Sequence, residues 1–282
     1  MSVEWPLVLF SLLAGCGGCT FAYLALSDLL TSNKKGQFQI ALVALIVAVV
    51  GGFCSVAHLA SPQNVMAAVW NIGSFSGISI ELILIGITCV LMVVYMVLLK
   101  RGAAESAQKA VAAVGGVFGL LLAFFTGHGY VIESQATWNT ELLPFAYLGT
   151  SLALGAFLYA VCAVVCKVDE ADLRKMAIPV GVGAVLGAVS ILGYVLAVGF
   201  EAAATEPVLL WGGLIACGIV ITAICGVVVM ARKQNMDSLA VPCVGLAATA
   251  VGAVSLRAFM WVVGSGFLGL FEVAMNSRVI GL

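Results

Sequence analysis

Eight apolar stretches, each long enough to cross a bilayer, decide what this chain can fold into. A membrane-spanning helix needs about 20 apolar residues, and these stretches lack the alternation of a membrane β-barrel. With 63% hydrophobic and 9% charged residues in 282, the chain has too little polar surface for a soluble core. We therefore predict an all-α, polytopic membrane bundle of eight transmembrane helices, forming one domain over residues 1–282. The predicted spans are 5–29, 38–60, 77–99, 109–127, 142–166, 176–199, 208–231 and 239–264.

The basic residues predict the orientation of the bundle. The connections after spans one, three, five and seven carry ten of the 12 Lys and Arg residues, whereas connections 61–76, 128–141 and 200–207 carry none. Basic connections stay in the cytoplasm, so both termini are expected on the outer side. Two arginines are exceptions: Arg257 lies inside span eight, and Arg278 is expected in an outer C-terminal tail. The ten are Lys34, Lys35, Lys100, Arg101, Lys109, Lys167, Arg174, Lys175, Arg232 and Lys233.

Small residues inside the spans favour close helix packing. Most of the nine cysteines lie in apolar stretches, which is not the pattern of a disulfide framework. The Cys16-Gly-Gly-Cys19 segment has CxxC spacing but lies within a span, so we interpret it as packing. The pairs Gly115…Gly119 and Gly183…Gly187 let helix backbones approach each other.

Four ionisable residues lie within spans, where such groups are usually functional: Asp28, His58, Glu81 and Arg257. At 1.5 Å per residue, Glu81 lies roughly 6 Å and Arg257 roughly 10 Å below the outer ends of their helices. His58 closes span two and His128 closes span four, both on the outer side. Asp28 stands alone near the inner end of span one.

Structural interpretations of these residues also exist. Arg257 could extend its side chain to the outer surface, or simply neutralise Glu81. His128 could be an interfacial side chain facing water, and Asp28 is expected to cap or solvate a helix end. Glu81 is the hardest to explain structurally, because a carboxyl group among apolar residues is costly to bury.

The functional interpretation joins the outer groups into one site. A carboxyl group beside an imidazole, next to apolar walls, can take protons from a lipophilic hydroxyl donor such as a membrane quinol. An alternative is a single b-type haem held by His58 and His128. The sequence lacks CxxCH, so it does not support covalent haem attachment.

Several short motifs resemble the membrane anchor subunit of dimethyl sulfoxide reductase, the DmsC family. "HLASP" begins at His58, and "NIGSFSGISIE" ends at Glu81. The opening "EWPL", the segment "VIESQATWNTELLPF" with Trp138, and Arg257-Ala-Phe259 are similar as well. The resemblance runs from end to end, with matching span number and orientation. Two departures are a short connection after span six and His128, where some relatives have arginine.

The resemblance implies a quinol-oxidising anchor in the bacterial cytoplasmic membrane. It implies that His58 and Glu81 transfer the protons of menaquinol, and we expect Ser79 and Arg257 to help bind it. The chain itself would not reduce the terminal substrate. The expected partners, docked on the outer face, are a four-cluster iron–sulfur subunit and a molybdopterin catalytic subunit, which alone would carry those cofactors. No haem, no metal in this chain and no nucleic-acid partner are expected.

The placement suggests how the complex is arranged. Trp5, Trp70 and Trp138, with the acidic outer connections, are candidate docking groups. Arg257 would stabilise negative charge at the quinol site. The terminal acceptor, the quinone type and the direction of electron flow stay open.

A secondary transporter, with Glu81 and Arg257 as substrate or proton sites, is the alternative function. Transporters commonly have internal repeats with broken helices at the midplane. This sequence shows no clear repeat between its halves, and its polar groups lie toward one surface. We therefore favour the anchor.

Overall fold

The computed structural model describes residues 3–31, 34–57, 73, 76–135, 137–231 and 238–279, with side chains as far as Gly264. This part contains eight helices long and apolar enough to cross a membrane, which confirms the predicted number. A short helix, Phe200–Ala203, precedes the seventh, whose first part, Val208–Ile221, is π-helical. The eight are α1 (Trp5–Leu30), α2 (Gln37–Ala57), α3 (Gly77–Lys100), α4 (Glu105–His128), α5 (Leu142–Val165), α6 (Glu170–Val198), α7 (Val208–Ala231) and α8 (Ala240–Val279).

Two helices begin earlier than the apolar stretches predict. Helix α4 starts at Glu105 rather than at residue 109, and α6 starts at Glu170 rather than at 176. In each first turn an acidic residue pairs with a basic residue four positions later, Glu105 with Lys109 and Glu170 with Arg174. Such pairs, with acidic residues near a helix N-terminus, continue a helix beyond its apolar part.

Helix α8 differs most from the prediction. It continues to Val279, 40 residues in all, whereas the apolar stretch ends at 264. The candidate membrane span within it is Ala240–Gly264, as predicted, and the backbone of Arg278 lies beyond that span in the continuation of the helix. Nothing in residues 265–279 breaks a helix, since they include no proline and only two glycines, Gly266 and Gly269.

Helix α1 lies at the centre of the bundle and packs against α2, α4 and α5, with a smaller contact to α8. Its glycines allow this. A β-carbon on Gly18 would lie 2.8 Å from the carbonyl oxygen of Gly119 in α4, and one on Gly17 would lie 2.5 Å from the carbonyl oxygen of Ala44 in α2. Cys16 and Cys19, on either side of these two glycines, are buried free thiols. The packing interpretation of this segment is confirmed.

The two predicted glycine pairs also lie at helix contacts. Gly119 meets Gly18, and a β-carbon on Gly115 would press on the ring of Phe21. Gly187 approaches the backbone of Gly149 in α5, so that a β-carbon there would lie 2.8 Å from its carbonyl oxygen. These contacts bring α4 onto α1 and α6 onto α5.

The connections after α1, α3 and α5, which carry basic residues, meet at one end of the bundle. Lys35, before α2, pairs with Asp169, before α6, at 3.9 Å. Lys100 at the end of α3 lies over the ring of Phe38 in α2, with 4.8 Å from its Nζ to the ring centroid. This end is called the basic end below.

Asp28 lies at the basic end, but it does not face water. Its side chain is completely enclosed, and its carboxylate pairs with Lys34 and accepts hydrogen bonds from Gln37 Nε2 at 3.0 Å and Tyr95 Oη at 3.2 Å. The prediction that Asp28 caps or solvates a helix end was wrong. The carboxylate instead ties α1 to α2 and α3, and the loop lysine supplies its counter-charge.

Candidate functional site

Glu81 lies at the opposite end of the bundle from the basic connections, in the second turn of α3. Ser76 caps this helix, since its Oγ accepts a hydrogen bond from the backbone nitrogen of Ser79 at 3.4 Å. The side chain of Glu81 is half-buried, beside an apolar cluster that includes Leu84 and Phe125. The carboxyl group has no hydrogen-bond or ion-pair partner among the residues that the structure describes.

The end of α4 forms the wall opposite this carboxyl group. Gly77 at the start of α3 lies against Gly129, which follows the last residue of α4. The Oε1 of Glu81 lies 3.2 Å from the position of a β-carbon on Gly129. Gly129 and its neighbour His128 are exposed, so the carboxyl group lies close to the surface of the bundle.

Arg257 is the second charged group near this end, and it is completely enclosed. Its Nε donates to Ser11 Oγ at 2.9 Å, and Nη1 donates to the carbonyl oxygen of Ala253 at 3.0 Å and to Thr150 Oγ1 at 3.4 Å. The guanidinium group also lies over the ring of Tyr147, 4.3 Å from the centroid. The idea that this arginine extends to the surface was therefore wrong.

The structure does not pair Arg257 with Glu81. Within the described side chains, the guanidinium group has hydroxyl, carbonyl and aromatic partners but no carboxylate. Tyr147, whose ring the guanidinium group contacts, extends this packed group of side chains toward Tyr130, the residue after Gly129. The rings of Tyr130 and Tyr147 pack together, with centroids 5.8 Å apart.

Two tryptophans hold Tyr130 in place. Its ring meets Trp138 at 5.7 Å and Trp261 at 6.0 Å, and the two tryptophan rings are 4.9 Å apart. Trp138 donates from Nε1 to the carbonyl oxygen of Met260 at 2.8 Å. Trp138 is therefore part of the core, and its predicted role as a docking group was wrong, whereas Trp5 is 52% exposed.

The other predicted site residues have different positions. Ser79 is buried, and its hydroxyl lies 2.9 Å from that of Ser76 at the start of α3. Because residues two apart point to different sides of a helix, Ser79 and Glu81 do not face each other. His128 is exposed and stacks on Phe124, 6.0 Å between centroids. His58 lies outside the described residues, as does Trp70.

The model of the DMSO reductase anchor subunit (DmsC) family matches residues 1–263. The chain belongs to this family. No match was found among curated proteins. The DmsC match ends within α8 and covers every side chain of the Glu81 site described above, which confirms the resemblance carried by the "HLASP" and "NIGSFSGISIE" segments.

In this DmsC-family chain, sequence reasoning missed Tyr130 and Tyr147 as neighbours of the charged groups. Tyr130 lies in a short connection between spans, where a tyrosine is usually an interfacial anchor. Tyr147 lies one turn into an apolar helix, and its sequence context resembles that of a core residue. Neither tyrosine therefore stands out in the sequence.

Proposed function

We propose that this chain is the quinol-oxidising membrane anchor of a molybdopterin oxidoreductase of the DMSO reductase type. In this proposal it lies in the bacterial cytoplasmic membrane, oxidises menaquinol on the outer side and passes electrons to an iron–sulfur subunit. Membership of the anchor subunit family and eight helices of membrane-spanning length support the anchor part. The proposal of a quinol site depends on the structure around Glu81.

One observation carries the quinol site: a half-buried carboxyl group that has no partner in the described part of the chain. Such a group is costly unless a ligand or a proton satisfies it. The neighbouring turn of its helix, with Leu84 and Ile85, belongs to an apolar cluster, and the exposed Gly129 lies against the carboxyl group. A lipid-soluble hydroxyl donor has the matching chemistry, because its ring needs apolar walls and its hydroxyl needs an acceptor.

The proton balance then assigns roles to the residues. Oxidation of one menaquinol releases two electrons and two protons, and the electrons leave to the iron–sulfur partner. Glu81 accepts a proton from one hydroxyl and releases it to water past the exposed Gly129 and His128. His58, which the family resemblance assigns to the same site, accepts the other. Arg257 acts through Tyr147, because its own donors are already taken up within the bundle.

The partner is proposed to dock on the end of the bundle that carries Glu81, because the electrons leave there. Trp5 is exposed, as are Glu133 and Glu141 in the connection between α4 and α5. An exposed aromatic ring with charged neighbours is typical of a protein interface. The molybdopterin subunit would then attach through the iron–sulfur subunit.

Replacing Glu81 with Gln tests the quinol site. Glu81→Gln keeps the shape but removes the proton acceptor, so electron transfer from a reduced menaquinol analogue should fall about 100-fold or more. The measurement uses membranes that contain the whole complex, with an artificial dye as the alternative electron donor. Dye-linked activity should persist, because the dye does not need the quinol site.

Glu170→Gln is the matched control, since it makes the same chemical change in an exposed residue at the basic end, away from the proposed docking surface. Both activities should be unchanged in that variant. If Glu81→Gln retains quinol-linked activity, then Glu81 is structural and the proposed site is wrong. Loss of both activities would show that the substitution disrupts assembly and would also count against a role limited to the quinol.

A further inference from the structure

The hydroxyl of Tyr130 differs from those of Tyr95, Tyr147 and Tyr194. Tyr147 donates to Met260 Sδ at 3.0 Å, and Tyr194 donates to the carbonyl oxygen of Thr137 at 3.0 Å. Tyr95 donates to Gln37 Oε1 at 2.8 Å. Tyr130 forms no side-chain hydrogen bond within the described ranges, although its ring is packed between aromatic side chains. Tyr130 is half-buried, so a hydroxyl without a partner in these ranges can reach a ligand.

The position of Tyr130 is fixed by its neighbours. Its ring is nearly perpendicular to Trp138, at 86°, and to Trp261, at 80°. Trp138 is itself held by the hydrogen bond to Met260. These ring contacts hold Tyr130 in one position, so the fold sets where its hydroxyl lies.

Gly129 brings Tyr130 and Glu81 near each other. The carboxylate of Glu81 approaches Gly129, the residue directly before Tyr130. Burial raises the pKa of the Tyr130 phenol well above its ordinary value, and Tyr147 and Glu81 raise it further. The phenol therefore stays protonated at neutral pH and is available as a hydrogen-bond donor, beside a carboxyl group that is an acceptor.

We infer that Tyr130 is a second polar ligand of the quinol site, donating its hydroxyl to an oxygen of the quinol or of the quinone product. This inference rests on the proposed function and adds a residue from the connection after α4. Glu81 and Tyr130 are complementary. The Glu81 carboxylate accepts a hydrogen bond from a quinol hydroxyl, while the Tyr130 hydroxyl donates one to a quinol oxygen. The packed Tyr147 ring links this donor to the enclosed charge of Arg257.

Replacing Tyr130 with Phe removes the hydroxyl and leaves the ring that packs on Trp138, Tyr147 and Trp261. The KM for a reduced menaquinol analogue should rise about fivefold to tenfold, which is the loss of one hydrogen bond in a shielded site. Dye-linked activity should stay at the level of the unmodified complex. Tyr23→Phe is the matched control, because Tyr23 also lacks a hydrogen bond within the described residues but faces an apolar groove near the basic end.

The outcomes separate this inference from the function on which it rests. If Tyr130→Phe keeps the unmodified KM while Glu81→Gln loses quinol-linked activity, the quinol site stands and Tyr130 is not a ligand. If neither variant affects quinol-linked activity, both the site and this inference are wrong. An equal rise of KM in Tyr130→Phe and Tyr23→Phe would also overturn the inference, because it would indicate a general effect on the fold.

Discussion

Gly129 lies against the carboxyl group of Glu81, so a substitution at Gly129 tests the position of that group. Its φ of −59° and ψ of −17° are ordinary helical values, so alanine fits the backbone without strain. A β-carbon there would lie 3.2 Å from Glu81 Oε1, and its one other neighbour within 4 Å in the described part of the chain is the carbonyl oxygen of Phe125 in α4, at 3.8 Å. The main consequence of adding a methyl group is therefore a displaced carboxyl group.

We expect Gly129→Ala to lower quinol-linked activity by about threefold to tenfold, since small displacements of a catalytic group reduce its efficiency. Dye-linked activity and the amount of assembled complex should not change. Gly86→Ala in α3 is the control, because a β-carbon at Gly86 meets nothing within 4 Å. Unchanged quinol-linked activity in Gly129→Ala would mean that the carboxyl group works in a different position from the one described.

Individual residues were predictable from the sequence only where their chemistry contradicts their surroundings. Glu81 stands out because a carboxyl group in an apolar helix is costly. Asp28 stands out for the same reason, but its partners do not, since Gln37 and Tyr95 come from different helices. Tyr130 gives no such signal, because a tyrosine is ordinary both in a core and at a membrane surface.

At the scale of helices, small residues rather than apolar ones determine which surfaces meet. Helix α3 has the most apolar span, yet only 28% of it is buried, whereas 78% of the less apolar α1 is enclosed. Lipid satisfies an apolar surface as well as protein does, so hydropathy does not predict burial in a membrane. The sequence therefore predicts the number of helices, and its small-residue pairs predict contacts, but hydropathy alone does not identify α1 as the central helix.

The contact between α1 and α4 gives a prediction at this scale. Gly119→Ala places a methyl group against the backbone of Gly18, and neither backbone can move aside without separating the helices. We expect a loss of stability of about 1–3 kcal/mol, the usual cost of overpacking, with a lower thermal unfolding midpoint in detergent. Gly193→Ala in α6, where a β-carbon meets nothing within 4 Å, should leave the midpoint unchanged or slightly raised. Equal midpoints for the two variants would contradict the described packing.

At the scale of the whole molecule, the two ends of the bundle differ in charge. Ion pairs such as Lys35 with Asp169 connect loops at the basic end, and the enclosed Asp28 lies there with Lys34. The other end carries Glu81, Gly129 and the exposed Glu133. Because successive helices run in opposite directions, the alternation of basic residues along the sequence predicts this division. The positive charge also predicts, separately, which end of the bundle faces the cytoplasm.

We predict that the basic end faces the cytoplasm and the Glu81 end faces outward. Glu133→Cys and Ala104→Cys place single thiols at exposed positions on opposite ends, before α5 and before α4. In intact cells, a thiol reagent that cannot cross the membrane should label the cysteine at 133 and not the one at 104. After lysis both should be labelled, and the unmodified chain, with its nine native cysteines, sets the background. Labelling of the cysteine at 104 alone in intact cells would reverse the orientation, and quinol oxidation at Glu81 would then release its protons into the cytoplasm.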